Sequence, residues 1–310
     1  MSNETPDTIQ RVRYIKLGAG GKWETACVEQ GINRMGFDTR NPEAFRLCES
    51  GRWNELRESY IAEGRHKGTA TRFANEIRLF FEDDGSILWI TFVGERLFWG
   101  RSDQTKAVPS PEFDGACRTM RDGWQSTALD GDPLTKDRLS GALTQLTAYR
   151  GTSCDVDLDV SHYIIRRING QRVPEVERAI AASEEMKSSV LGLMRLLDPR
   201  DFELLVDLVF STSGWRRLGS VGGTEKTRDL DLILPTTQER AFVQVKSKTT
   251  SVELAEYVTQ MDHGYDRMFY VFHSGEAQTK DERVTVIGPE QLARMVFDAG
   301  LVGWLIRKVS

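Results

Sequence analysis

The sequence predicts an α/β protein in two parts, on three observations. A run poor in helix breakers, "PEVERAIAASEEMKSSVLGLMRLLD" from Pro174, divides the chain into unlike halves. Downstream of it, helical and strand patterns follow one another in a tight order; upstream, short alternating strands are interleaved with helical segments. The 310 residues, 39% apolar and 28% charged, are enough for two cores. The expected organisation is a mixed α/β domain over 1–173, a linker helix over 174–197 and a second α/β domain over 198–310.

In the first half the strand candidates are "RVRYIKL", "ILWITFV" and "RLFWGR", and "ATRFANEIRLFFE" reads as a helix. The strands "ILWITFV" and "RLFWGR" are separated by Gly94 and Glu95, which predicts a tight hairpin. The second half opens on "DPRDFELLVDLVFSTSG", with Asp198 as N-cap, Pro199 at the first helical position, Asp201 in the first turn and Gly214 at the end. Phe202, Leu205, Val206 and Val209 fall at i, i+3, i+4 and i+7, a stripe that faces a core. There follow a glycine-rich loop "GSVGGTEKTR", a strand "DLDLIL", a turn and a second strand "AFVQVKSK". After these come a helix "SVELAEYVTQMDHG", strands "RMFYVFHS" and "RVTVIG", and a closing helix "PEQLARMVFDAG".

Composition removes several classes of function. The formal charge of −5 gives no global basic excess, which argues against a DNA-coating protein but not against a local basic groove. Cys27, Cys48, Cys117 and Cys154 form no C-x-x-C pair and only four histidines accompany them, so no zinc site is expected. His263 and His273 read as structural or surface groups. No G-x-S-x-G elbow occurs, and "GAGGKWE" at 18–24 lacks the ending of a phosphate-binding loop. With no secretory h-region and no apolar run of about 18 residues, a cytoplasmic location with reduced thiols and no membrane contact is expected.

The stretch "FVQVKSK" at 242–248 carries the chemistry. Strand alternation sends Val243 and Val245 to one face and Phe242, Gln244, Lys246 and Lys248 to the other. Asp229 and Asp231 share a face of the preceding strand, so hairpin pairing brings carboxylates towards Gln244 and Lys246. Carboxylate and amide oxygens are ligands for Mg²⁺, and a neighbouring ammonium positions water or offsets charge growing on phosphorus. That is chemistry for hydrolysing a phosphodiester. Taken singly the lysines would be guards of an exposed sheet edge, and most helix glutamates are merely solvated. The combination is what carries weight.

"DFELLVDLVFSTSGW", "RDLDLIL" and "FVQVKSK" together resemble the helix Glu, the strand Asp and the Q-x-K of the Mrr-like branch of the PD-(D/E)xK nuclease superfamily. The tail "RVTVIGPEQLARMVFDAG" is similar to that branch's closing strand and helix, and the likeness runs from Asp198 to the C-terminus. It implies a restriction-endonuclease-like fold, a central mixed sheet flanked by helices. It also implies Asp231 as principal metal ligand, Gln244 as the second strand ligand, Glu203 as the helix carboxylate and Lys246 as the catalytic lysine, with Asp229 supporting. The family often has glycines shortly before its Asp where this chain has "EKTRDLD", which keeps both aspartates as candidates. Mg²⁺ is the implied cofactor, with Mn²⁺ able to substitute.

The first half holds Trp23, Phe73, Phe80, Phe81, Trp89, Phe92, Phe98, Trp99 and Trp124, and its strand layout is loosely similar to PUA-like folds, which include readers of modified bases. Aromatics at alternate strand positions are ordinarily core, yet a reader that flips a base would use such side chains. Trp89 and Trp99 are the candidates to touch a base. Arg96, Arg101, Lys67, Arg72 and, from the second half, Lys248 are candidates for phosphate. The expected function is a Mg²⁺-dependent DNA endonuclease of restriction or anti-phage type, modification-dependent, with target choice set by the first half. Double-strand cleavage calls for two active sites, hence a homodimer. The competing expectations are a nuclease switched on by a small nucleotide signal, and a catalytically silent DNA-binding module.

Overall fold

The computed structural model describes residues 9–37, 42–110, 114–218, 229–259 and 264–310. The glycine-rich loop at 219–228 and His263 lie outside the described residues. The chain is a mixed α/β protein that divides into two compact units, Met1–Arg172 and Val173–Ser310.

The first unit contains β1 (Arg11–Ile15), α1 (Glu24–Gln30), β2 (Ile32–Gly36), α2 (Pro42–Glu49), α3 (Trp53–Ala62) and α4 (Lys67–Phe81). It continues with β3 (Ile87–Val93), β4 (Arg96–Arg101), β5 (Val108–Pro109), β6 (Gly115–Thr119), α5 (Gly141–Thr144), β7 (Ser153–Asp155) and α6 (Leu158–Ile168). One sheet has the order β4, β3, β1, β7, with β1 and β3 parallel; a second, β2, β6, β5, is antiparallel. The β3–β4 pair closes through Gly94 and Glu95 as the sequence predicts, with Val93 opposite Arg96. Six of the seven residues of β3 are buried, because each of its faces meets a separate apolar cluster. Helix α4 covers one face with Ala70, Ala74, Ile77 and Phe80, spaced to form a single stripe.

That core also contains a cation. Arg13 is 0% exposed; its guanidinium donates to Asp155 Oδ1 at 2.9 Å and Ser153 Oγ at 3.0 Å, and pairs with Glu76. A charge so placed is tolerable only because its partners replace lost hydration.

The second unit contains α7 (Pro174–Met194), α8 (Pro199–Thr212), β8 (Arg216–Arg217), β9 (Leu230–Leu234), β10 (Glu239–Lys246) and α9 (Ser251–Thr259). It ends with β11 (Arg267–Phe272), β12 (Val284–Ile287), α10 (Pro289–Asp298) and α11 (Val302–Val309). The helix expected as a linker is built into this unit over its C-terminal part, where Val190 and Met194, followed by Leu197, join the core. Asp198 caps α8, its carboxylate accepting from the Arg200 and Asp201 amides at 2.9 and 3.0 Å. The predicted stripe of Phe202, Leu205, Val206 and Val209 is buried in the same core.

The five strands lie in the order β12, β11, β10, β9, β8. Strands β8, β9 and β10 are antiparallel, while β10, β11 and β12 run parallel, so the sheet is mixed. Val243, Val245 and Val271 pack into the cluster that includes residues of α8 and α10; Phe242, Tyr270 and Phe272 pack with Leu254 of α9 on the other side. No helix among the described residues is long and apolar enough to cross a membrane.

Two features of this unit yield tests. Gly275 bridges to Thr249 with φ of +93°, and a Cβ there would stand 2.1 Å from the Thr249 carbonyl oxygen. Gly275→Ala should therefore cost at least about 2 kcal/mol in urea unfolding of the full chain. His273 is buried, stacked edge-on against Phe202 at 4.6 Å, and burial holds its imidazole below the ordinary value. Because the folded value is the lower one, the unfolded chain takes up the proton first. Stability is then full above about pH 6.5 and declines as pH falls from there. Melting temperatures across that range should show the decline in the wild type and a shallower one in His273→Gln.

Candidate active site

The register of the β9–β10 hairpin decides which groups meet. Leu234 stands opposite Glu239, Asp231 opposite Phe242 and Leu230 opposite Val243. One step further on, where β9 has ended, Asp229 comes level with Gln244. Its Oδ2 accepts the Gln244 Nε2 at 2.6 Å and the Val245 backbone N–H at 2.7 Å. A carboxylate thus serves a strand amide, and in doing so is clamped beside the amide side chain.

This clamp orients Gln244 as well. An ionised carboxylate only accepts hydrogen bonds, so the amide must turn its NH₂ towards Asp229 and its carbonyl away. Gln244 is 3% exposed and its Oε1 is buried with no hydrogen-bond partner. An orphaned buried carbonyl is costly unless something else uses it.

Two further residues bring charge to the same place. Lys246, the last residue of β10, lies two positions beyond Gln244 on the same face. Burial pushes the Asp229 carboxyl above its ordinary value, against the pull of the Val245 amide and the Lys246 charge. Glu203 of α8 is also pushed up, first by burial and then by the Asp229 charge, while Arg217, Arg200 and Lys246 draw it back. A carboxylate whose ionisation is hindered by burial and by a neighbouring carboxylate, as that of Glu203 is, is an arrangement a cation relieves. Lys246 itself is held above its ordinary value, chiefly by a hydrogen bond with the Tyr257 hydroxyl and against the effect of burial.

The donor set suits a hard cation. It comprises the Asp229 carboxylate, the Gln244 carbonyl and the Glu203 carboxylate, all oxygen. No cluster of three His, Cys, Asp or Glu residues fit for a metal occurs among the described residues, so water or substrate oxygens would complete the shell.

The structure places the two aspartates differently. Asp231 faces Phe242, pairs with Arg240 at 3.6 Å and lies two residues down the strand from the Gln244 position, roughly 7 Å away along it. Asp229, and not Asp231, lies against the Gln244 side chain. In the first unit, Trp89 is 0% exposed, with its indole N–H on Asp83 Oδ2 at 2.8 Å, so it is core and cannot touch a base in this conformation. Trp99 is half-buried and donates to the Thr127 carbonyl at 2.9 Å; the Arg101 Nε donates to the Gly85 carbonyl at 2.5 Å. Arg96 and Lys248 are exposed.

Two residues at the site escape sequence reasoning. Arg217 of β8 reaches both Asp207 of α8, at 3.3 Å, and the Asp229 carbonyl, at 3.4 Å, tying helix to strand. Tyr257 of α9 contacts Lys246. Neither belongs to a spacing pattern that marks it.

No protein-family model matches the chain, and no curated protein matches it. A solved structure of the MspJI restriction endonuclease in complex with a 27-mer oligonucleotide matches 72% of this chain and 62% of that one, at 16% identity and a TM-score of 0.26. The chain spans less than two thirds of that protein's length, and a likeness this low carries no argument.

These oxygens form a donor set that can be tested. Titrating Mn²⁺ into the full chain should show a site weakened at least about tenfold by Asp229→Ala and unaltered by Asp231→Ala. Equal affinities for the wild type and Asp229→Ala would remove the assignment.

Proposed function

We infer that the chain is a Mg²⁺-dependent DNA endonuclease of restriction-endonuclease-like fold, in which the second unit cuts and the first chooses the target. The observation that carries this reading is the clamped Asp229–Gln244 pair with its orphaned carbonyl, adjoined by Glu203 and Lys246. Helix, antiparallel hairpin, helix and parallel strands around a mixed sheet support the fold assignment.

Asp229, Gln244 and Glu203 would hold the ion, which supplies charge to polarise a phosphodiester and acidify water. The chain's own groups do the rest. Lys246, kept protonated by its surroundings, donates to the phosphate or the attacking water and offsets the negative charge that grows on phosphorus. Arg217 holds Asp229 through its backbone. The Val245 amide fixes one carboxylate oxygen and leaves the other free.

A restriction or anti-phage role, with modified bases as the feature sensed by the first unit, is the biological setting proposed. Its test is Mg²⁺-dependent cleavage of paired phage DNAs with ordinary and modified bases. Wild type should cut one of the pair, and Lys246→Ala should lose at least about 100-fold in rate while retaining DNA. Wild-type cleavage by Lys246→Ala would remove Lys246 from the mechanism. Cleavage of both DNAs alike would remove modification sensing.

A further inference from the structure

The lysine at the end of β10 raises a mechanical problem. A lysine side chain carries four rotatable carbons and about 2 kcal/mol of rotamer entropy, so backbone placement alone does not put its ammonium anywhere in particular. Something must hold it.

Helix α9 is delivered to that task by its start. Thr249 is bridged to Gly275, and its hydroxyl is shared with that of Tyr270. Thr250 then caps the helix: its N–H donates to Glu253 Oε2 at 3.0 Å, and the Glu253 N–H returns to the Thr250 hydroxyl at 3.5 Å. This reciprocal cap fixes the rotation of α9 about its axis. Tyr257, seven residues beyond the cap, is two turns along the same face. Its ring centre lies 5.0 Å from the Lys246 Nζ and 6.1 Å from the Tyr270 ring. Tyr270 is fully buried and the β10–β11 register sets it beside Gln244. The ammonium therefore rests on an aromatic support rooted in the same pair of strands that carry the oxygen ligands.

We propose that Tyr257 is a positioning residue, whose ring supports the Lys246 ammonium beside the Asp229–Gln244 pair. The proposal rests on the nuclease reading for its consequence, but the contact has a signature of its own. Removing an aromatic face from a cation weakens whatever depends on the contact by roughly two- to thirtyfold.

The experiment combines two readouts on the full chain. In the first, the ¹⁵N signal of the Lys246 ammonium, assigned by its loss in Lys246→Arg, is compared in wild type and Tyr257→Leu. In the second, cleavage of phage DNA with Mg²⁺ is measured for wild type, Tyr257→Leu, Lys246→Met and the double variant. The expected results are a displaced or broadened ammonium signal, and a kcat lowered about tenfold with unchanged KM for DNA. Tyr257→Leu should add nothing in the Lys246→Met background, since each change removes the same interaction. Tyr257 is half-buried, and Tyr257→Phe, which keeps the ring, should keep most of kcat where loss of the ring does not. An unmoved ammonium signal with wild-type kcat would overturn the inference and leave the nuclease reading intact. A moved signal in a wild type that cuts no DNA would overturn the nuclease reading, and with it the catalytic consequence, while the contact itself would stand.

Discussion

The bond from the Val245 amide to the Asp229 carboxylate is the constraint on which the candidate site depends. Strand β9 begins at Leu230, opposite Val243, so the Val245 amide lies beyond the ladder, and the side chain of Asp229 takes over. A carboxylate held by a backbone donor has a fixed place and a fixed direction. Gln244 then has one permissible orientation, and its carbonyl is left without a partner in a buried setting. Burial, the Asp229 charge and the Lys246 charge act on one small volume because this bond defines where it is.

The same strand explains its own mixed character. β10 lies between β9 and β11, and its odd positions, Val243 and Val245, are consumed by the core that includes α8 and α10. The even positions face α9. There Phe242 is apolar and paired with Tyr265, and polarity begins at Gln244, where β9 runs out. The polar end of the row coincides with the end of its neighbour, so the cost of burying an amide and an ammonium is offset by a carboxylate and two tyrosines. The first unit solves a related problem differently: the two terminal nitrogens of the Arg13 guanidinium are taken up by Asp155, Glu76 and Ser153, and the side chain has no exposure left with which to act.

Much of the second unit was legible in the sequence. Helix α8 declared itself through its cap, its proline and its apolar stripe, and the alternation in "FVQVKSK" assigned Gln244 and Lys246 to one face. The choice between Asp229 and Asp231 was not legible, because residues two apart share a face and only register separates them. Register here is set by the loop 235–238, with Gln238 at φ of +61°, which brings Leu234 level with Glu239. A loop two residues longer would have brought Asp231 to Gln244. Trp89 misled for a similar reason, since alternation marks faces but not which face is enclosed, and both faces of β3 are. Tyr257 was beyond reach because its position depends on the rotation of a helix against a sheet, fixed by a cap and a glycine bridge distant from it in sequence.

The proposed function requires Asp229 and Gln244 to be the strand ligands of one divalent cation. Its most direct test is an anomalous difference map from crystals of the chain soaked in Mn²⁺. The expected result is a peak within bonding distance of Asp229 Oδ1 and Gln244 Oε1, on the Lys246 side of the hairpin. A peak held by Asp231 and Arg240's neighbours instead, or well-ordered Asp229 and Gln244 side chains with no peak between them, would contradict it.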